Sequence, residues 1–439
     1  MSSLAKMKGL TEDISKQTTI LTDYLSSRGL GAASFDVHGL AEFPIDADDE
    51  IPFKARQQLA AATKELHDIS VGPKQSLHDL AWDGFTSTLS LRAMWEFKVA
   101  DAVPLHGSIS YQELTAEVEK LNNNIAIGVD NLRRLIRHAM TNRIYCEPIK
   151  NQVAHTRASR LLLEDEPNDN WVGFCCKDVW LPAAHVVDAM KKWPNSEESN
   201  ETGVNLAYNH STEFFDWLPQ DHERNHRYNL AMKSHGNAAG YSVDHLINGY
   251  AWADLGPGKQ TSANISQMGG NQGHISIALA EAFPQLNFVV QDLAALRLPE
   301  IIGTVPAHLA DRVKLIMHDF FTSQTEVGAA CYFMRHIMHA FSDKYCVKIL
   351  QALVPALRKG RRVLVNDGAL AEPETASYLE EKAMRTLDLI VKITVNARER
   401  EADDWIALFA RADSRYKVNR IWRPKGSVLA LVEAEWMGE

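Results

Sequence analysis

The sequence predicts an α/β fold in its C-terminal half and a largely helical N-terminal half. From residue 255 onward, candidate strands alternate with candidate helices, which is typical of a mainly parallel sheet with helices on both faces. One candidate strand, Ala263–Met268, runs into the glycine-rich turn Met268–Gly273. The last two strands are separated only by the short turn Pro424–Gly426, so we expect them to form an antiparallel pair at one edge.

The expected elements of this half follow one another regularly. Strands are predicted at 263–268, 287–291, 313–317, 329–334, 361–366, 416–422 and 427–433, and helices at 274–283, 343–357, 372–392 and 400–412. A seven-stranded sheet that ends in a hairpin differs from the usual dehydrogenase Rossmann sheet.

The glycine turn predicts a ligand site. A strand, a glycine turn and a helix N-terminus together bring a nucleotide-like ligand against the backbone, where a Cβ would hold it away. About twenty residues further on, after the apolar run Phe288–Val290, comes Asp292, and an acid at that position suits a ribose diol. The glycines alone are a weak signal, but their spacing to Asp292 favours nucleotide-type binding over a purely structural turn.

Composition excludes several classes of protein. Hydrophobic residues make up 45% and charged residues 23% of the chain, as in globular proteins. The net charge is −10 and no Lys/Arg-rich run occurs, which argues against a nucleic-acid surface. The five cysteines are odd in number and form no CxxC pair, so we expect a reducing cytoplasm and no metal site. No signal-peptide core and no apolar run long enough to span a membrane is found.

Four segments are expected along the chain. They are a helical arm at 1–75, a winged-helix dimerisation domain at 76–165, an aromatic-rich helical linker at 166–250, and the ligand-binding α/β domain at 251–439. The linker is predicted to cap an apolar substrate pocket, because helices between two such domains often do so.

The winged-helix prediction depends on three helices followed by two short strands. The helices are expected at 82–97, 111–120 and 127–141, and the strands at 144–147 and 152–155. Ser110 and Glu113 match a capping box for the second helix. The third helix carries Arg133, Arg134 and Arg137, but the domain as a whole is not basic. We therefore favour a homodimer over DNA binding.

Seven short motifs occur in order in the second half of the chain: 269–274, 280–284, 290–293, 318–321, 335–343, 353–357 and 398–400. They resemble those of fungal and plant-type S-adenosylmethionine-dependent O-methyltransferases, a family with a methyltransferase-like pericyclase branch. The resemblance covers roughly residues 75–437. It implies a class I methyltransferase domain (Rossmann-like, seven-stranded) after an all-α winged-helix dimerisation domain. It also implies S-adenosylmethionine as cofactor and a small, apolar, polyketide-type substrate.

The resemblance assigns cofactor-binding residues. Three glycines would approach the methionine and ribose parts of the cofactor: Gly269, Gly270 and Gly273. Asp292 would hold the ribose hydroxyls, and Asp319 and Phe320 would flank the adenine by a hydrogen bond and by stacking. Leu293 and Arg335 complete the expected set. The structural alternative for Asp319 is a turn cap.

His339 matches the general base of the family. A phenol or enol loses its proton as its oxygen attacks the methyl carbon, and an imidazole with a near-neutral pKa suits that task. Asp367 and Glu399 match the positions that orient and polarise this imidazole. The alternative for His339 is an ordinary core histidine.

The chain departs from the family pattern at four positions. Gln267 stands where the family usually has an acid, and Asn271 where it commonly has Gly or Ser. After the base, Ala340 and Phe341 replace the usual Asp or Asn and Trp. These changes relax constraints on methyl transfer while the main cofactor features remain.

Three functions follow from this pattern, and the departures favour the first. It is a pericyclase that catalyses dehydration, Diels–Alder, hetero-Diels–Alder or ene-type closure, with the cofactor as a fixed positive charge. Arg335, His336 or His339 would then donate hydrogen bonds to a carbonyl, although neighbouring strand residues face opposite ways. The second is an O-methyltransferase acting on a phenol or enol, with His339 as base. The third, a silent scaffold, is disfavoured by the retained acids and His339.

Overall fold

The computed structural model describes residues 3–45, 49–255, 263–293, 305–372 and 375–439. The chain divides into two compact units. The first comprises Met1–Ala184, Phe215–Gly236 and Ser377–Leu379, and the second His185–Phe214, Asn237–Ala376 and Glu380–Glu439.

The helices and strands before residue 200 are, in chain order, α1 (Ser3–Ser27), α2 (Glu50–Glu96), α3 (Val99–Ala102), β1 (Ile109–Ser110), α4 (Tyr111–Leu121), α5 (Val129–Thr141), β2 (Tyr145–Ile149), β3 (Gln152–His155), α6 (Arg157–Glu164), α7 (Glu166–Gly173), a π-helical turn (Phe174–Val179) and α8 (Trp180–Lys192). The middle of the chain is also helical, with α9 (Gly203–Ala207), α10 (Phe214–Trp217), α11 (His222–Gly236) and α12 (Val243–Gly249).

The C-terminal elements alternate as predicted. They are β4 (Ala263–Met268), α13 (His274–Ala282), β5 (Leu286–Gln291), β6 (Val313–Ile316), β7 (Cys331–Arg335), α14 (Asp343–Leu353), β8 (Arg362–Asp367), α15 (Tyr378–Val395), α16 (Ala402–Ala412), β9 (Tyr416–Trp422) and β10 (Ala430–Trp436).

In the first unit, α2 is one long helical stretch that joins the end of the predicted arm to the predicted helix at 82–97. Gly72 has non-helical φ and ψ of 80° and 160°, and Pro73 follows it. Proline removes one backbone donor and glycine tolerates a positive φ, so the chain kinks here but resumes its helix. The predicted boundary between residues 75 and 76 therefore lies inside a helical stretch, just after its kink.

The elements from α2 to β3 follow the order predicted for a winged helix. The capping box at the start of α4 is confirmed, because Ser110 accepts from the Glu113 amide while the Glu113 carboxylate accepts from Ser110. The strands pair in the order β1-β3-β2. Leu114 and Ile136 are fully buried in the core beneath them.

In the second unit, the described strands form one seven-stranded sheet in the order β6-β5-β4-β7-β8-β10-β9. β4 to β8 pair in parallel, whereas β10 is antiparallel to both β8 and β9. Two buried apolar clusters pack against this sheet, one with α14 and α16 and the other with α12 and α13. The predicted class I methyltransferase architecture, including its edge hairpin, is confirmed.

Three predicted elements in the C-terminal half have a boundary displaced by three residues or more. β10 begins at Ala430 and not at residue 427, because the Ser427 amide still donates to the Pro424 carbonyl within the turn. α14 ends at Leu353, where Pro355 enters a 3₁₀ turn and supplies no N–H for a longer helix. α15 covers Tyr378–Val395 in place of the predicted 372–392, of which 373–374 lie outside the described residues.

Among the described residues, no helix combines the length and the apolar character needed to cross a bilayer.

Candidate active site

The carboxyl ends of the central parallel strands lie at one edge of the sheet, where open α/β sheets bind their ligands. β4 ends in the glycine turn, β5 ends just before Asp292, β7 ends at Arg335 and β8 ends at Asp367. The sheet therefore brings together residues from predicted motifs that are far apart in the sequence.

The glycine turn is tightly packed against its own scaffold. Gly269 and Gly273 have φ of +67° and +80°, where side chains other than glycine are strained. A Cβ on Gly269 would collide with the Ile337 side chain, and one on Gly270 would lie 2.5 Å from Val290 Cγ1. All three predicted glycines therefore lie in one tight turn before α13, whose N-terminal amides are available to an anionic or polar ligand.

Asp292 and the turn are joined directly. The Asn271 amide donates to Asp292 Oδ2 at 2.9 Å, and the Asp292 amide donates to the Ile316 carbonyl. The half-buried carboxylate is thus fixed at the tip of β5, beside the turn. Leu293, the next residue, is 45% exposed and presents an apolar surface at the same edge.

Asp319 and Phe320 follow β6. The Phe321 amide donates to Asp319 Oδ1, so the turn-cap role anticipated for this carboxylate is present. The Phe320 ring reaches the glycine turn, since its edge would lie 3.7 Å from a Cβ on Gly269. The ring also packs at 5.8 Å from Phe341. Phe320 therefore forms an aromatic wall next to the glycines.

The two departures near the turn have structural explanations. Gln267 is buried, and its amide oxygen accepts a hydrogen bond from the Ser276 hydroxyl on α13. Asn271 adopts a φ of +47°, a conformation that asparagine tolerates better than most residues. Both residues serve the turn itself, so neither requires that the site has lost methyl transfer.

Arg335 and His336 stand at the end of β7. Arg335 donates to Asn366 Oδ1 at 2.5 Å and to the Tyr241 carbonyl at 2.6 Å. His336 has a φ of +54°, so the chain has left the strand there, and its ring lies 5.5 Å from that of Tyr241. Because of this turn the two side chains do not face opposite ways, and both lie on the Tyr241 side. Burial lowers the pKa of Arg335.

His339 lies on a 3₁₀ turn, Met338–Ala340, that follows β7. Its Nδ1 is 3.0 Å from Glu399 Oε1, and the two side chains are 17% and 2% exposed. Burial acts to lower the pKa of His339, but the hydrogen bond to Glu399 and the charges of Asp367 and Glu399 outweigh it. The pKa therefore lies above its ordinary value, and the imidazole is a strengthened base.

Asp367 is fully buried at the end of β8 and supports the base turn by a different contact. Its Oδ2 accepts from the Met338 amide at 2.9 Å, whereas its Oδ1 has no hydrogen-bond partner among the described residues. Burial raises the pKa of Asp367 to about 6, opposed by the nearby His339. Asp367 thus acts on His339 through its charge and through the adjacent backbone.

Arg400 has a role that the sequence did not reveal. Its guanidinium is fully buried and donates to the carbonyls of Met338 and Phe341, at 2.9 and 3.0 Å. These carbonyls lie on either side of His339, and Asp343 neutralises the guanidinium at 2.8 Å. Arg400 therefore clamps the turn that presents the base. The sequence signal was its place in the motif 398–400, directly after Glu399.

The departures after the base also have a place in the packing. Phe341 contacts the rings of Phe320 and Phe321 edge to face, at 5.8 and 5.3 Å. Ala340 is half-buried on the 3₁₀ turn and brings no polar group to the site. The aromatic cluster therefore takes the place of a polar contact after the base.

The cofactor side fits S-adenosylmethionine. The glycines let the turn fold tightly against its scaffold, the Asp292 carboxylate is anchored at the strand end as a diol requires, and Phe320 offers a ring beside the turn. Backbone amides, one acid and one aromatic ring are the groups that a nucleoside with an amino-acid tail requires.

Comparison with known proteins gives the same family. The model of the O-methyltransferase domain matches residues 190–414. Chlorophenol O-methyltransferase of Trichoderma longibrachiatum is 34% identical over 99% of this chain and 91% of its own length. The grayanic acid biosynthesis cluster O-methyltransferase of Cladonia grayi is 33% identical over 100% of this chain and 89% of its own length.

Solved structures share the fold. OxaC, crystallised also with sinefungin and meleagrin, superposes with a TM-score of 0.73 at 20% identity, covering 98% of this chain and 100% of its own. LepI in complex with S-adenosylmethionine gives 0.65 at 19% identity, over 87% of this chain and 94% of its own. The cofactor is S-adenosylmethionine, and the chain belongs to the O-methyltransferase family of S-adenosylmethionine-dependent enzymes.

Proposed function

We propose that the protein is an O-methyltransferase of fungal secondary metabolism. It methylates a phenolic or enolic hydroxyl of a small, apolar, polyketide-type natural product. The observation that carries the proposal is the buried pair formed by His339 and Glu399, joined at 3.0 Å through Nδ1. A buried imidazole polarised by a carboxylate is the proton acceptor that methyl transfer to a hydroxyl group requires.

The pair accounts for proton removal. Glu399 accepts from Nδ1–H, so Nε2 carries the lone pair and is the atom that takes the substrate proton. The imidazolium that forms is stabilised by Glu399 directly and by the charge of Asp367. When bound, the cofactor supplies an electrophilic methyl group, and the deprotonating hydroxyl oxygen is its acceptor.

Arg400 and Asp367 hold this base in place. Arg400 fixes the carbonyls of Met338 and Phe341, while Asp367 fixes the Met338 amide. With both ends of the turn held, the imidazole keeps one orientation as its charge changes, which limits the reorganisation that proton transfer requires. Phe341, two residues after His339, packs against Phe320 and adds an apolar surface after the base turn.

This proposal reverses the order of the two enzymatic hypotheses that the sequence suggested. The preference for a pericyclase depended on Gln267, Ala340 and Phe341. Gln267 and Phe341 now have packing roles, so their presence no longer favours loss of transfer. The relatives that share about a third of their residues with the chain are named O-methyltransferases, one of them for chlorophenol.

One observation keeps the pericyclase as a second candidate. His336 lies beyond the end of β7, and its ring lies 5.4 Å from that of His339. Two imidazoles are therefore close together at the carboxyl ends of the strands. Two donors could polarise a substrate carbonyl. Against this, Arg335 is committed to Asn366 and the Tyr241 carbonyl.

The test is an incubation with S-adenosylmethionine carrying a ¹³C-methyl group. Chlorinated phenols, polyketide phenols and quinone methide precursors are tested in parallel as substrates. The masses of the products are measured by mass spectrometry. The proposal requires a labelled methyl ether and an equal amount of S-adenosylhomocysteine. A cyclised or dehydrated product without label, formed with the cofactor unconsumed, would establish the pericyclase instead.

A homodimer is part of the proposal. The segment 77–89 of α2 exposes five large apolar side chains, and exposed apolar patches commonly mark protein–protein interfaces. They are Leu77, Leu80, Trp82, Phe85 and Leu89, with exposed fractions between 44% and 76%. We expect Phe85→Asp to lower the mass measured by light scattering from dimer to monomer. Ile125→Asp, which alters an exposed apolar residue outside α2, should leave the mass unchanged.

The ion pairs of the α5 arginines support the proposal that the protein does not bind nucleic acid. Arg137 is paired with Glu147 at 2.9 Å, and Arg133 is paired with Asp130. Phosphate binding would have to displace these carboxylates. All five cysteines lie in described segments as free thiols, which supports the proposed cytoplasmic location.

A further inference from the structure

We propose that His336, His339 and Asp367 form a binding site for a divalent transition-metal ion of the zinc class. This inference goes beyond the proposed function, and the binding it describes does not depend on whether a methyl group is transferred.

The three side chains converge from adjacent elements. His336 follows β7, His339 lies on the next turn, and Asp367 ends β8, which is the parallel neighbour of β7. One ligand atom from each residue lies within 4.8 Å of the other two. Two imidazole nitrogens and a carboxylate oxygen are ligands that zinc and its neighbours prefer.

Asp367 gives an independent indication of a ligand. Its Oδ2 is occupied by the Met338 amide, but its Oδ1 is buried and has no hydrogen-bond partner in the part of the chain that the structure describes. A buried carboxylate oxygen that accepts no hydrogen bond has lost the stabilisation that water gave it. A bound metal ion would replace that stabilisation.

Glu399 supplies the outer contact that metal-binding histidines usually have. Its carboxylate holds His339 Nδ1 at 3.0 Å, which leaves Nε2 as the atom that coordinates. Such carboxylate–histidine–metal arrangements fix the tautomer and make the imidazole a better ligand. His336 and Asp367 complete three protein ligands, so a fourth position stays open, as in catalytic zinc sites.

A small closure completes the site. With bonds of about 2.0–2.1 Å, the ligand atoms of a tetrahedral zinc ion lie about 3.4 Å apart. His336 is half-buried and lies on a turn, so its ring can rotate inward, whereas Asp367 is fixed in the core. The ion would therefore draw His336 towards His339.

The ion has a direct consequence for the enzyme. A metal on His339 Nε2 occupies the lone pair that accepts the substrate proton. Given the proposed function, Zn²⁺ should inhibit methyl transfer in competition with the hydroxyl substrate, and a chelator should restore the rate.

The test measures binding and not activity. Full-length protein, freed of metal with EDTA, is titrated with Zn²⁺ by calorimetry and with Co²⁺ by visible absorption. The wild type should bind one ion per chain, with intense Co²⁺ bands typical of four-coordination. His336→Ala should weaken binding at least tenfold. His308→Ala is the matched control. It removes an exposed histidine that is paired with Glu281 and is not one of the proposed ligands, so it should bind Zn²⁺ like wild type.

Asp367→Asn is the second variant, because an amide oxygen can still accept from the Met338 amide while the charge on the metal ligand is lost. It should also weaken binding at least tenfold with its circular dichroism preserved. Equal affinity in wild type and His336→Ala would overturn the site. If binding fails while EDTA-treated enzyme still transfers label, only this inference falls. If binding holds while no label is transferred, only the proposed function falls.

Discussion

The cofactor side and the base side of this active site are built from different materials. The cofactor side consists of the glycine turn 269–273 and Asp292, two neighbouring segments joined by backbone contacts such as the Asn271 amide. The base side consists of His339, Asp367, Glu399 and Arg400, which come from three separate segments and are all at least partly buried titratable groups. A turn made of backbone tolerates changed side chains such as Gln267, whereas a cluster of buried charges tolerates few changes.

The comparison predicts that changes on the base side abolish chemistry and leave cofactor binding intact. His339→Ala removes the proton acceptor but none of the glycine turn. We expect the turnover rate to fall by about 10²–10⁴-fold, the usual contribution of a general base. Calorimetry should give an unchanged Kd for S-adenosylhomocysteine. A variant that keeps more than about a tenth of the wild-type rate would show that His339 is not the base.

Arg400→Met tests the clamp on the base turn. It leaves the Met338 and Phe341 carbonyls without their donor and removes a buried partner of Asp343. We expect unfolding to be easier by about 3–5 kcal/mol, as when one partner of a buried ion pair is lost. Arg411→Met is the matched control, because Arg411 contacts the same Asp343 at 3.1 Å but is 53% exposed. Arg411→Met should lower the free energy of unfolding, measured by urea denaturation, by less than about 1 kcal/mol. Equal losses of stability in the two variants would contradict the role of Arg400 as a clamp.

The clamp also shows where sequence reasoning stops. The alternation of strands and helices, the edge hairpin and the strand-end acids predicted the sheet and the residues along its edge. Arg400 acts on carbonyls of a distant segment, and no side-chain pattern marks a backbone acceptor. Likewise, the positive φ of His336 cannot be predicted from a histidine that follows an apolar strand. The predicted boundary after residue 75 lies close to the kink at Gly72, but the resumption of the helix beyond that kink depends on packing.

Asp292→Ala tests the cofactor side in the opposite sense. It removes the proposed acceptor for the ribose hydroxyls and one partner of the Asn271 amide. Hydrogen bonds to a charged group contribute about 1.5–3 kcal/mol, so we expect cofactor affinity to fall about 10- to 100-fold. Circular dichroism and the midpoint of urea denaturation should change little. Asp292→Asn keeps an acceptor oxygen and should lose less; an unchanged Kd in Asp292→Ala would refute the ribose role.

The most direct test of His339 as a base paired with Glu399 is the pH dependence of kcat/KM for methyl transfer in wild type and in Glu399→Gln. Neutral His339 is the active form, and its pKa is held above the ordinary value of 6.5 largely by Glu399. Wild-type activity should therefore fall on the acid side of a pKa above 6.5. In Glu399→Gln that pKa should be lower, because the imidazole without the carboxylate loses its proton more readily. The maximal kcat/KM should also fall, because no carboxylate stabilises the imidazolium that forms. An acid limb at the same pH in both proteins would show that the titrating group is not His339 paired with Glu399.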